Sequence, residues 1–237
     1  MKPEEAVKYL ERKGFKITWS WRESLDYANN RSFVVAKSMN MDVLQTIRED
    51  VEKALSEGIT FEEYRKNLTP RLEALGWWGK KVVDGKMVQL GSPWRLKTIY
   101  RTNLQSSYMS GRWKMQEENK EDRPVLEYVA IDDDVTTPVC QALNGVRRPV
   151  DDPFWNTNYP PNHFNCRSRV RALTKEQAEK RGGVTKKIPK MEDPKTGKMV
   201  KAKPSEGFNN NPGKKPFEPE KKDYDADIWR EGEKLKP

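Results

Sequence analysis

Between Asp42 and Gly58 the apolar residues Leu44, Ile47, Val51 and Leu55 recur every three or four positions among charged neighbours, the spacing of a helix that buries one face. Gly58 stands where such a helix stops. Thr60 and Glu63 then form a T-x-x-E capping box, and Ile59 and Tyr64 are placed to close a hydrophobic staple over it, so a second helix starts at Phe61. Its apolar face runs through Phe61, Tyr64, Leu68, Leu72 and Leu75, but Pro70 lacks the amide that a helix interior uses. The pattern predicts a break near Thr69, with Thr69 capping a short third helix that ends at the GWWG of Gly76 to Gly79.

The stretch KVVDGKMVQL carries Asp84-Gly85, a pair favoured in two-residue turns, and predicts a small hairpin near 81–90. Ser92 and Pro93 open the longest helix, to about Glu118, with Ile99, Tyr100, Leu104, Tyr108 and Trp113 as its apolar positions. Ser106, Ser107, Ser110 and Gly111 are small neighbours on it, which suits either close approach of another element or plain exposure. After Pro124 the run VLEYVAI has the β-branched and aromatic weight of a strand, ending at the acidic turn Asp132 to Asp134. Thr137-Pro138 starts a short helix that stops at Asn144-Gly145. From Val150 to Asn165 proline, asparagine and aromatic residues predict an irregular but packed loop, before a strand near Arg167 to Leu173. A T-x-x-Q box at Thr174 and Gln177 begins a last short helix that ends at Gly182-Gly183.

These elements predict an α+β protein: an N-terminal extension (1–32), a helical region (33–123), a strand-containing module (124–183) with the irregular proline-rich loop, and a basic, largely unstructured tail (184–237). The tail is expected because seven lysines between Val184 and Lys203 meet only Glu192 and Asp193, with few apolar residues and no period.

Composition sharpens the picture in two ways. Of 237 residues, 35% are hydrophobic and 34% charged, with a mean hydropathy of −0.99, which limits the core to a modest one. A net charge of +9 and a pI near 9.3 admit an anionic partner such as double-stranded DNA, while being equally compatible with a solvated surface. No run of about 18 apolar residues marks a membrane helix, and the start MKPEEAVKYLERKG lacks a signal-peptide core, so a cytoplasmic protein without membrane contact is expected. Two cysteines are too few for a disulfide scaffold.

Cys140, His163 and Cys166 are of the residue types that hold zinc, the latter two separated only by Phe164 and Asn165. Structural zinc takes four ligands, and an aspartate, Asp134 or Asp152, would have to complete the set. The alternative is two buried thiols beside a histidine that satisfies backbone groups in the loop. A Cys-His nucleophile has no recognisable oxyanion elbow nearby. Asp132 to Asp134 and Asp151-Asp152 suit a divalent ion, but also turns and caps. A glycine-rich phosphate cradle is absent from the sequence, and with a single histidine a metal-dependent enzyme is the weaker reading. Trp94, Arg95, Arg101, Arg112 and Trp113 combine charge with stacking surface, and Lys186, Lys187, Lys190, Lys195, Lys198, Lys201 and Lys203 add a basic run, a set suited to DNA backbone contact.

DDPFWNTNYPPNHFNCRSRVRAL resembles the signature of phage Mu F-like head-morphogenesis proteins, relatives of the minor capsid proteins of tailed phages. FVVAKSMNMDVLQTIREDVEKALSEGITFEEYRKNLTPRLEALGWWG, RLKTIYRTNLQSSYMSGRW, VTTPVCQALNG and the later GFNNNPGK are similar to family segments in the same order. Within the signature Asp152, Pro153, Phe154, Trp155, Tyr159, Pro160, Pro161, His163, Cys166 and Arg167 carry the pattern, which burial of the aromatics would make architectural rather than catalytic. The resemblance implies a non-enzymatic minor head protein, made in the host cytoplasm and carried inside the capsid. Its implied place is at or near the portal, where it acts in procapsid assembly and in DNA packaging or ejection. The implied partners are the portal and the major capsid or scaffolding protein. Many relatives have cysteine where this chain has Thr137 and Ser168, a departure that removes two candidate zinc ligands.

Overall fold

The computed structural model describes residues 4–15, 32–33, 35–38, 40–194 and 196–214. Helix α1 (Glu4–Glu11) lies inside the expected N-terminal extension and buries Ala6, Tyr9 and Leu10, with Glu4 and Glu5 in its favourable first turn. Strands β1 (Gly14–Phe15) and β2 (Ser32–Phe33) pair in parallel. The stripe that starts at Leu44 forms α2 (Met41–Glu57), capped by Asn40, whose side chain accepts the Asp42 amide at 2.8 Å.

Helix α3 (Phe61–Ala74) starts on the expected capping box but does not break at Pro70. A mid-helix proline costs about 3 kcal/mol. Beneath it Tyr64, Leu68 and Leu72 are all buried, each contributing roughly 1.5–3 kcal/mol, so packing outweighs the break. Pro70 and Lys66 are exposed, so the carbonyl that Pro70 leaves without an amide is on the wet side, and the Thr69 hydroxyl donates to the Arg65 carbonyl at 2.8 Å instead of capping a new helix.

Strands β3 (Lys80–Val83) and β4 (Lys86–Gln89) make the expected hairpin, with both Asp84 and Gly85 at positive φ as its tight turn requires. Helix α4 (Pro93–Glu118) is 26 residues long, about 39 Å at 1.5 Å per residue. Its first half, through Leu96, Ile99, Tyr100 and Leu104, completes a core built by α1, α2, α3 and Trp77. Its second half, through Met109 and Trp113, is the floor of a second core. The small residues have a use: Ser107 and Ser110 are buried, and a Cβ on Gly111 would lie 3.3 Å from the Glu5 Cβ of α1.

The second core lies under a three-stranded antiparallel sheet of order β6-β5-β7, from β5 (Val125–Val129), β6 (Arg147–Pro149) and β7 (Arg169–Leu173). Helix α5 (Pro138–Leu143) links β5 to β6, one turn α6 (Phe154–Asn158) lies in the stretch expected to be irregular, and α7 (Lys175–Glu179) follows β7 on its Thr174/Gln177 box. Buried Glu127 on β5 is flanked by Arg147 at 3.2 Å and Arg171 at 2.5 Å, one from each neighbouring strand. Both outer edges are covered. Arg147 exchanges hydrogen bonds with Thr185, and the β7-side carbonyls of Ser168, Val170 and Ala172 accept from Gln105, Gln116 and Arg123.

The segment from Val184 to Lys214, expected as the start of a mobile tail, is placed against the body instead. Strands β8 (Lys190–Glu192) and β9 (Met199–Lys201) form an antiparallel hairpin, and Ala202, Phe208 and Asn211 are buried. The backbone at Gly213 runs so close to Trp113 that a Cβ would fall 2.2 Å from the tryptophan Cβ, so only glycine fits. Few and unperiodic apolar residues suffice here because each is buried singly against a core that already exists. Residues 215–237 and Lys195 of the expected tail lie outside the described residues. The architecture is α+β, as its patterning predicts.

Candidate functional site

The proline-rich loop is held residue by residue. The Asp152 carboxylate accepts the Phe154 amide at 2.8 Å, which starts α6 after Pro153, and it also pairs with Arg148 at 3.1 Å. Trp155 and Tyr159 are fully buried; the indole donates to the Pro149 carbonyl at 2.9 Å and the Tyr159 hydroxyl to Gln116 of α4 at 2.8 Å. Phe154, Trp155, Tyr159 and Trp113 stack edge to face in a chain with centroids 4.8 to 6.1 Å apart. Pro160 and Pro161 are buried behind them, joined by a cis peptide.

This frame delivers His163 and Cys166 to the first turn of α5. Cys140 Sγ lies 3.2 Å from His163 Nε2 and 3.9 Å from Cys166 Sγ, and both thiols are free and buried. The Tyr128 hydroxyl, 3.2 Å from Cys140 Sγ, is itself held by Asn162 at 3.1 Å. Thr137 occupies the cap position of α5, yet its hydroxyl lies 2.9 Å from His163 Nε2 rather than on a helix amide. The buried Ser168 side chain also lies against Cys140. Thr137 and Ser168 thus both border the cluster.

Hydrogen bonding from Cys166, against the cost of burial, and then from His163, Ser168 and Tyr128, holds the Cys140 thiol below its ordinary range. Cys166 is pushed up because it donates to that sulfur and is buried. For His163 burial disfavours the charged ring, but bonds to Cys140 and to the Phe164 carbonyl outweigh it, and the ring titrates above its ordinary value. The cluster therefore sets a thiol with a lowered pKa beside an imidazole, chemistry suited to a soft metal or to a nucleophile.

Among the described residues, Cys140, His163 and Cys166 are the group with metal-ligand geometry, and no carboxylate joins them. Asp134 is exposed on its turn, and Asp152 is engaged at α6. The neighbouring Asp133 instead forms a two-pronged pair with Arg167 at 2.7 and 2.5 Å, which holds its carboxyl down at about 2.

The basic residues are scattered. Arg95 is consumed internally: it lies over Trp77 and donates to the Gln89 and Ala36 carbonyls at 3.1 and 2.5 Å. Arg112 reaches the Val170 carbonyl at 3.4 Å, while Arg101 and Trp94 are exposed and Trp113 is core. Lys186, Lys187, Lys190, Lys198, Lys201 and Lys203 are all exposed, and Lys190 stands directly opposite Lys201 across the β8–β9 pair. A cleft between β7 and α7, about 530 Å³, is lined by Arg123, Arg171, Lys180 and Arg181, a cationic set that is dispersed in sequence and joined only by the fold.

Residues 45–171 match the family model described as Phage Mu protein F like protein. The chain is 42% identical over 91% of its length to protein F of Escherichia phage Mu, named provisionally as a capsid assembly protein, and covers 55% of that protein. It is 47% identical over 70% of its length to the Mu-like prophage FluMu F protein of Haemophilus influenzae, covering 40% of it. The chain thus spans about half the length of these relatives. No solved structure matches it. With its signature loop, the strands on either side and most of the helical half inside the matched region, the chain belongs to the phage Mu protein F-like family.

Proposed function

We propose that the protein acts in phage head assembly, as a minor head protein that works inside the procapsid at or near the portal. The observation that carries this reading is the 42% identity, over 91% of the chain, to a phage Mu protein named for capsid assembly. The buried aromatic chain of the loop supports it, since Phe154, Trp155 and Tyr159 serve packing and leave outer surfaces for partners. The partners in this reading are the portal and the major capsid or scaffolding protein, the setting is the host cytoplasm and then the capsid interior, and the role is structural rather than enzymatic. No helix among the described residues is long and apolar enough to cross a membrane. Co-expression of the full chain with portal protein and with the remaining procapsid components is expected to yield co-purification with one or both. Absence from portal complexes and procapsids alike would overturn the proposal.

A second reading, contact with packaged double-stranded DNA during packaging or ejection, is favoured by one observation. Lys190 and Lys201 face each other in the β8–β9 register, an arrangement of like charges that costs stability until an anion neutralises it. Lys186, Lys187 and Lys203 flank the pair, all exposed.

A further inference from the structure

We propose that Cys140, His163 and Cys166 bind a zinc ion that clamps the signature loop to α5 and to the start of β7. This inference stands apart from the assembly reading, because it rests on the geometry of three side chains alone.

The ligand atoms of the three residues all lie within 4.8 Å of one another. Bond lengths of about 2.3 Å to sulfur and about 2.0 Å to nitrogen give a tetrahedral zinc site ligand-to-ligand edges of roughly 3.8 Å between sulfurs and roughly 3.5 Å between sulfur and nitrogen. Two of the three edges are 3.9 Å from Cys140 Sγ to Cys166 Sγ and 3.2 Å from Cys140 Sγ to His163 Nε2, and the third, from Cys166 Sγ to the His163 ring, stays within 4.8 Å. Two thiols that merely fill a core have no need of an imidazole at that distance.

The surroundings are those of ligands held for a metal. His163 Nδ1 lies 2.8 Å from the Phe164 carbonyl, which can only accept, so Nδ1 carries a proton and Nε2 is the nitrogen that faces Cys140 and would bind the metal on losing its own. The Tyr128 hydroxyl lies 3.2 Å from Cys140 Sγ and is held from behind by the Asn162 amide at 3.1 Å. The Thr137 hydroxyl, 2.9 Å from Nε2, borders the fourth corner, which falls to that oxygen or to a water. A nucleophilic role fits less well, since Cys140 is 2% exposed and shielded from a substrate.

Metal analysis of the full chain, purified without chelator, is expected to find about one zinc per chain. Cobalt substitution is expected to give the thiolate-to-cobalt charge-transfer band of a four-coordinate site. Cys140→Ser and Cys166→Ser should abolish both signals. Because those variants remove ligands that also pack, Thr137→Cys supplies a readout that keeps the fold: it sets a third thiol beside His163 and should tighten zinc, in chelator competition, by at least the roughly tenfold that outer-shell partners alone are worth. Wild-type protein without stoichiometric metal and without the cobalt band would overturn the proposal, as would a Thr137→Cys variant that binds zinc no more tightly than wild type.

Discussion

Lys13 is a buried lysine. It is 7% exposed, its ammonium lies 5.1 Å above the Tyr9 ring, and burial, with Arg48 nearby, lowers its pKa to about 8. An unfolded lysine titrates near 10.4, so between about pH 8 and 10.5 the unfolded chain binds more protons than the folded one. Stability should therefore rise with pH across that window and be independent of this group below it. Lys13→Met is expected to raise stability at pH 7 by about 1–3 kcal/mol and to flatten the rise, as read by denaturant melts at several pH values. The same scale shows what a sequence can and cannot announce. Cys140, His163 and Cys166 are legible as ligand types, and their meeting follows from a loop rich in buried aromatics. Thr137 is not legible as a neighbour of His163, because threonine before proline at a helix start looks like a cap, and only the fold turns its hydroxyl away from the helix.

Elements with a sustained period or a cap, namely α2, α4, α7 and the β3–β4 hairpin, are readable because their boundaries rest on local chemistry. Pro70 misleads for a physical reason: the rule against interior proline is worth less than the three side chains buried beneath it. The strand β6 and the single turn α6 are too short to show a period, and β8–β9 folds through contacts with the second core, not through a pattern of its own. The run of small residues on α4 is the case where the ambiguous sign resolves, since α1 lies on it. Gly111→Leu should push α1 off α4 and destabilise the protein by about 1–3 kcal/mol in chemical denaturation. Gly111→Ala should be close to neutral, because the helix-propensity gain of about 1 kcal/mol offsets the tight 3.3 Å approach to Glu5.

At the scale of the whole molecule, α4 is shared by both cores, so the helical half and the sheet module are built on one rod. Two cationic features stand out on that body, the exposed lysines of the β8–β9 hairpin and the cleft lined by Arg123, Arg171, Lys180 and Arg181. If the hairpin meets DNA, binding of the full chain to duplex of arbitrary sequence should fall steeply with salt. Replacing Lys186, Lys187, Lys190, Lys201 and Lys203 by serine should then flatten the log–log slope by roughly 0.9 for each phosphate no longer neutralised. Salt-independent binding, or a slope indifferent to those substitutions, would remove the DNA reading. The covered sheet edges have a further consequence. Wherever many copies are crowded together, an open strand edge would recruit a second copy by backbone pairing and lead to aggregation. With Thr185 on β6 and the side chains of Gln105, Gln116 and Arg123 on the β7 side, that route is closed. Self-association through this three-stranded sheet must go through side-chain surfaces, which shape and charge can make selective, and not through the indiscriminate grammar of the peptide backbone.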